Sequence, residues 1–270
     1  MSPTLPHPPH TPWQRYVAIG DSFTEGMCDT HPDHDDEYIG WADRLAALLH
    51  QVAAREGHQL DYANLAVRGR LLTDITDRQL PAALALEPDL VSLVGGGNDI
   101  LRPNADMDAL AHQLDHAVRT IRATGADVIL ATSTDTRGAP LLRHVRQRHA
   151  LHTANIWTIA RTHGCHVIDQ WGMRPLQDLR MWAPDRIHMT PEGHRRVALA
   201  AFAALGYTPD DPDWDVPLPA AAPETWTTQL RADREWARVH VGPWVHRRLT
   251  GRSSGDTRTA KRPQATPYQD

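Results

Sequence analysis

A serine, a histidine, an aspartate and an asparagine stand in this sequence at positions from which they could share one reaction. Ser22 lies in Gly20-Asp21-Ser22-Phe23-Thr24, and Asp185-Arg186-Ile187-His188 sets an acid and an imidazole three residues apart. A serine hydroxyl is a weak nucleophile until a base takes its proton. An aspartate that accepts from imidazole Nδ1–H holds the tautomer whose Nε2 can be that base. Two glycine- or asparagine-bearing segments could add hydrogen-bond donors: Asn64-Leu65-Ala66-Val67-Arg68-Gly69 and Gly95-Gly96-Gly97-Asn98-Asp99. Such a set suits attack on a carbonyl, because donors fixed in advance stabilise the oxyanion that forms. Each string alone is a weak signal, since Gly, Asp and Ser are common in turns.

These residues can cooperate only if the fold carries them to one place. Apolar runs over Tyr16–Ile19, Leu60–Ala63, Leu90–Val94, Val128–Ala131 and His166–Ile168 predict strands. Between them lie helical patterns, one with Leu45, Leu48, Leu49 and Val52 on a face, another with Met107, Leu110, Leu114, Val118 and Ile121. A third helix should start with Thr190 as N-cap and Pro191 at its first position. Strands alternating with helices predict an α/β fold: a three-layer α/β/α sandwich around a flavodoxin-like, five-stranded parallel sheet. In such sheets ligands bind beyond the carboxyl ends of the strands. Three of the four segments directly follow a predicted strand, and the fourth precedes the last core helix.

Taken together and in order, the four segments resemble the blocks of the SGNH (GDSL-type) serine hydrolases, over roughly residues 15–205. The resemblance implies that Ser22 is the nucleophile, His188 the general base and Asp185 its orienter. It also implies an oxyanion hole made by the backbone N–H groups of Ser22 and Gly69 and the side-chain amide of Asn98. Where such families carry a glycine after the Asn-Leu pair, this chain has Ala66, so only Gly69 matches the oxyanion glycine. The GxSxG elbow of α/β-hydrolases is absent around Ser22. The expected activity is hydrolysis of a small-molecule carboxylic ester through an acyl-serine, with no metal and no organic cofactor. Acyl transfer to an alcohol would use the same residues and stays open. An idle flavodoxin-like binding domain is the alternative from another class.

Composition narrows the setting. The chain has 28 Lys+Arg against 33 Asp+Glu, which demands no nucleic-acid partner. Its two cysteines, Cys28 and Cys165, form no CxxC pair and no disulfide framework. The proline-interrupted N-terminus lacks the apolar core of a secretory signal, and no apolar run is long enough to span a membrane. A cytoplasmic protein is expected, of oligomeric state that the sequence does not specify. The acidic, His-bearing stretch 28–37 reads as a solvated loop beside the site, suited to substrate selection rather than to a metal. Asp21 and Asp99 read as loop-shaping carboxylates, and Arg68 and Arg70 as structural or solvated. His144, His149 and His152 read as surface residues of an Arg-rich helix. Trp182 suits an acyl pocket and loop packing equally.

The expected organisation is a flexible N-terminus (1–14), a hydrolase domain (15–206), a Pro-rich connector (207–223), a helical extension (224–250) and a disordered tail (251–270). The extension should dock through Trp226, Leu230, Ala237 and Val241. Residues 231–270 carry nine basic and four acidic residues, against 19 and 29 in residues 1–230, so a basic tail faces an acidic body.

Overall fold

Strand β1 (Arg15–Gly20) is buried along most of its length, and its side chains alternate between two cores. Tyr16 and Ala18 point into one, Val17 and Ile19 into the other. That two-sided burial is what a parallel sheet covered on both faces requires. The computed structural model describes residues 11–138, 142–220, 234, 236, 238–239 and 255–269.

From one edge the sheet runs β7 (His166–Ile168), β6 (Asp127–Ala131), β5 (Leu90–Val94), β1, β4 (Asp61–Asn64) and β8 (Arg262–Pro267). The first five are parallel, and each lies within one residue, at either end, of the strand its apolar run predicts. The chain leaves β1 for β4 on one side and returns to β5 on the other. The carboxyl ends of β1 and β5 therefore flank the point where strand order reverses, the usual ligand crevice of such sheets. One face is covered by helices α2 (Gly40–Arg55) and α8 (Pro191–Ala204), through Trp41, Leu45, Val197 and Ala201. The other is covered by α6 (Met107–Arg122) and α7 (Arg146–His163), through Leu114, Val118, Ile156 and Ala160. Thr190 caps α8 as predicted, its Oγ1 accepting from Gly193 N at 3.3 Å, with Pro191 next in line.

Three expectations need correction. The sheet has a sixth strand, because residues 262–267 of the supposedly disordered tail pair antiparallel with β4. A free sheet edge offers unpaired N–H and C=O groups to any segment that can reach it. Here Tyr268 packs near Tyr62, and the Arg262 guanidinium lies 5.3 Å from the Tyr62 ring centroid. The stretch 28–37 is no plain solvated loop but contains a hairpin, β2 (Thr30–His31) with β3 (His34–Tyr38). Its base is fixed by buried Asp29, which accepts from Arg44 Nε and Nη2 at 2.8 Å each and from Gly40 N at 3.0 Å. Third, His149 and His152 are buried, not surface residues. The helical extension lies outside the described residues except at 234, 236, 238 and 239.

Candidate active site

The short helix α1 (Ser22–Glu25) begins as soon as β1 ends. Asp21 caps it, its Oδ1 accepting from Phe23 N at 3.1 Å, which places Ser22 in the first turn beyond the sheet. Gln79, buried, grips the strand end just before: its amide donates to Gly20 O at 2.9 Å, and its Oε1 accepts from Gly20 N at 2.8 Å. Across the crevice the 183–189 loop closes on itself, with Ala183 N donating to His188 O at 2.8 Å. Its turn places Asp185 and His188 side by side. His188 Nδ1 donates to Asp185 Oδ2 at 2.6 Å, while Nε2 lies 3.0 Å from Ser22 Oγ. Asp185 Oδ1 also accepts from the N–H groups of Ile187 and His188, both at 3.0 Å. Burial alone would push this carboxyl up. The hydrogen bonds and the neighbouring imidazole outweigh it and bring Asp185 down to about 2, so it is ionised throughout the neutral range.

The other two predicted segments arrive from β4 and β5. Asn64, fully buried, ties its loop to α1 by donating from Nδ2 to Thr24 O at 2.9 Å, while its Oδ1 accepts from Ala66 N at 3.1 Å. Glu25 then holds Arg68 by accepting from its backbone N at 2.6 Å and from its guanidinium, so Arg68 is a structural residue. Gly69 follows with φ +73°, left-handed backbone that a side chain would strain. The short helix α5 (Gly97–Ile100) carries Asn98, whose Nδ2 donates to Arg70 O at 3.0 Å and approaches Asp21 Oδ2 at 3.3 Å. Asp99 shapes the loop as expected, accepting from Leu72 N at 3.0 Å. Burial raises the Asp21 carboxyl to about 6, against the opposing pull of Phe23 N–H and His188.

A pocket of about 200 Å³ opens over these groups. Ser22, Asn98 and His188 line it with Phe23, Val94, Leu176, Leu179, Trp182 and Ile187; Gly69 is not among its lining residues. Trp182 does both things its position allowed: it lines the pocket, and its Nε1 donates to Leu176 O at 2.8 Å. Thr132 to Thr136, with His149 and His152, line it as well. Burial drives both histidines down to about 4, so they are neutral at pH 7. His194, the other histidine near the site, is a structural residue. Its Nδ1 accepts from Trp41 N at 3.2 Å, its Nε2 lies 3.1 Å from Met27 O, and its ring stacks on Phe23.

Among the described residues one group of possible metal ligands lies close together, Cys28, Asp185 and His188. Two of its members, Asp185 and His188, are already bonded to one another, His188 also to Ser22, and burial raises the Cys28 thiol to about 11, so that it is protonated. Sequence reasoning missed Gln79 and Glu25, which carry no motif: each acts only because the fold brings it against a backbone far along the chain.

Comparison with known proteins bears on the family and the fold. No curated protein matches the chain. Among solved structures, an α/β hydrolase enzyme, LAE5, from the metagenome of Lake Arreo, Spain, is 26% identical with a TM-score of 0.61, over 72% of this chain and 95% of that one. A variant of Axe2, an acetyl xylan esterase from Geobacillus stearothermophilus, is 20% identical with a TM-score of 0.60, over 77% and 100%. TesA is 24% identical with a TM-score of 0.57, over 71% and 98%. The last two likenesses speak for the fold alone. Residues 18–196 match the GDSL-like Lipase/Acylhydrolase family and contain every one of the residues assembled above at the mouth of β1 and β5, so the chain belongs to that family of ester-hydrolysing enzymes.

Proposed function

We propose that the chain hydrolyses carboxylic esters through a covalent acyl-enzyme on Ser22. His188 Nε2 takes the hydroxyl proton as Oγ attacks the carbonyl carbon, then returns it to the leaving alcohol. Asp185 holds the imidazole in the tautomer this needs and stabilises it once protonated. Water, activated by the same imidazole, releases the acid and restores Ser22. The observation that carries this reading is the unbroken line from Ser22 Oγ to His188 Nε2 at 3.0 Å and from Nδ1 to Asp185 Oδ2 at 2.6 Å.

The oxyanion that forms in both steps would be met by Ser22 N–H, Gly69 N–H and the Asn98 amide. Asn98 already spends one hydrogen on Arg70 O at 3.0 Å, which fixes the plane of its amide. The longer 3.3 Å approach to Asp21 is the contact that yields when an oxyanion competes for the second hydrogen. The pocket's volume of about 200 Å³ and its mixed lining, with Phe23, Val94, Leu176 and Trp182 beside Thr132 and His149, suit an ester of modest size. A fluorophosphonate tests the reading: it should label Ser22 stoichiometrically and abolish esterase turnover in parallel. Labelling elsewhere, or turnover that survives full labelling, overturns it.

A further inference from the structure

The C-terminal segment lies beyond the family match, which ends at residue 196, yet it returns to the loop that carries Gly69. Gly255 packs against the residue just before that glycine: a Cβ built on it would collide with the Arg68 carbonyl oxygen and meet Val67 Cγ1 at 3.0 Å. The residue just after is held as well, because Arg70 Nη2 donates to Gly255 O at 3.1 Å. Arg70 in turn offers its own carbonyl to the Asn98 amide. One residue of the tail thus touches both neighbours of Gly69.

Six residues on, Lys261 fixes the supports of the same loop. Its ammonium donates to Glu25 O at 2.7 Å, Tyr38 O at 2.8 Å and Ile39 O at 2.6 Å, and it pairs with Asp43 Oδ2 at 2.6 Å. Glu25 holds Arg68 through its side chain, and the Tyr38 ring lies 5.1 Å from the Arg68 guanidinium. Three carbonyls and a buried carboxylate therefore converge on one cation supplied by the tail, and its loss would remove a charged donor from all four.

We propose that residues 255–261 are a positioning element of the esterase site, with Gly255 and Lys261 holding the 64–70 loop so that the Gly69 N–H meets the oxyanion. The inference rests on the reading that Gly69 and Asn98 are the oxyanion donors. The tail touches no reacting atom. It sets the place of a donor, and a donor displaced by ~1 Å can lose about 10²-fold in rate.

The test uses the full-length chain and its Gly255→Ala and Lys261→Met variants. Active sites are counted by end-point fluorophosphonate labelling, and kcat and KM are measured per labelled serine on p-nitrophenyl acetate. Both variants should lose about tenfold or more in kcat with KM changed by less than about twofold, the pattern of a lost transition-state contact. Inhibition by phenylboronic acid, which forms a tetrahedral adduct on serine, should weaken in parallel. If Lys261→Met does not fold, Gly255→Ala decides alone. Unchanged kcat per labelled serine, with only a lower melting temperature, overturns the inference by leaving the tail a purely stabilising strap. A rise in KM alone overturns it too. A wild-type chain that neither turns over nor is labelled overturns the esterase reading, and this inference with it.

Discussion

At the residue scale, Asn98 and Asp21 differ in what their removal should do. Asn98→Ala deletes one of three proposed oxyanion donors and should lower kcat by about 10²–10³ while leaving KM nearly unchanged. Steady-state kinetics on a small ester checks this, and a rise in KM with kcat intact would mean that Asn98 only binds substrate. Asp21 should reveal itself through stability instead. Its folded carboxyl titrates near 6 against a reference of 3.8, so the native state resists losing that proton. The unfolded chain binds fewer protons between those values, and stability is lost as pH rises through that window. Asp21→Asn removes the penalty and should be more stable than wild type at pH 7, by at most about 3 kcal/mol at 1.36 kcal/mol per pKa unit, but not at pH 3.5. Melting curves at the two pH values give the answer, and an equal shift at both would remove ionisation as the cause. Ser22, Asn98, Asp185 and His188 were legible in the sequence because each sits in a short local string. Gln79 and Glu25 were not, because their partners lie 59 and 43 residues away.

At the scale of elements, the site depends on how firmly strand ends are held. Gln79 lies on the turn Ile75–Gln79 between two short helices, Leu72–Asp74 and Leu80–Leu84, and its side chain pins Gly20 from both sides. Gln79→Leu keeps the volume but strands the Gly20 N–H, a buried donor, which should cost about 1–3 kcal/mol. Because Ser22 is two residues along, kcat should fall with it. Urea denaturation and kinetics on one preparation test both halves, and a destabilised variant with normal kcat would show that the strand end needs no such pin. The five parallel strands and the N-cap of α8 were legible because burial on both faces and turn chemistry act locally. Strand β8 was not: Arg262-Pro263-Gln264-Ala265-Thr266-Pro267 has neither an apolar run nor a regular alternation. It forms a strand because β4 leaves an edge open and because Lys261 and Tyr268 anchor it on either side.

At the scale of the whole molecule, three histidines buried as neutral rings should set its response to acid. His149, His152 and His194 all titrate near 4, well below their reference of 6.5, chiefly because burial disfavours the imidazolium. Between those values the unfolded chain takes up protons that the folded one refuses. Stability is therefore complete above about 6.5 and is lost as pH falls toward about 4. This runs opposite in sign to the Asp21 effect. His149 is the clearest single test, since neither of its ring nitrogens has a hydrogen-bond partner among the described residues. His149→Phe should raise the melting temperature more at pH 5 than at pH 8, and a gain independent of pH would remove protonation as the cause. No helix among the described residues is long and apolar enough to cross a membrane. The basic surplus of the C-terminal part was legible as charge. Where it docks was not, since the cage that receives Lys261 is built from carbonyls of residues 25, 38 and 39.

The proposed acyl-enzyme can be weighed. Rapid acid quench during turnover of p-nitrophenyl acetate, followed by proteolysis and mass spectrometry, should find the Ser22 peptide heavier by one acetyl group. The adduct should be absent from Ser22→Ala, and it should still form, far more slowly, in His188→Ala. An unmodified Ser22 during sustained turnover, or a Ser22→Ala variant that turns over at the wild-type rate, would contradict nucleophilic catalysis at this serine.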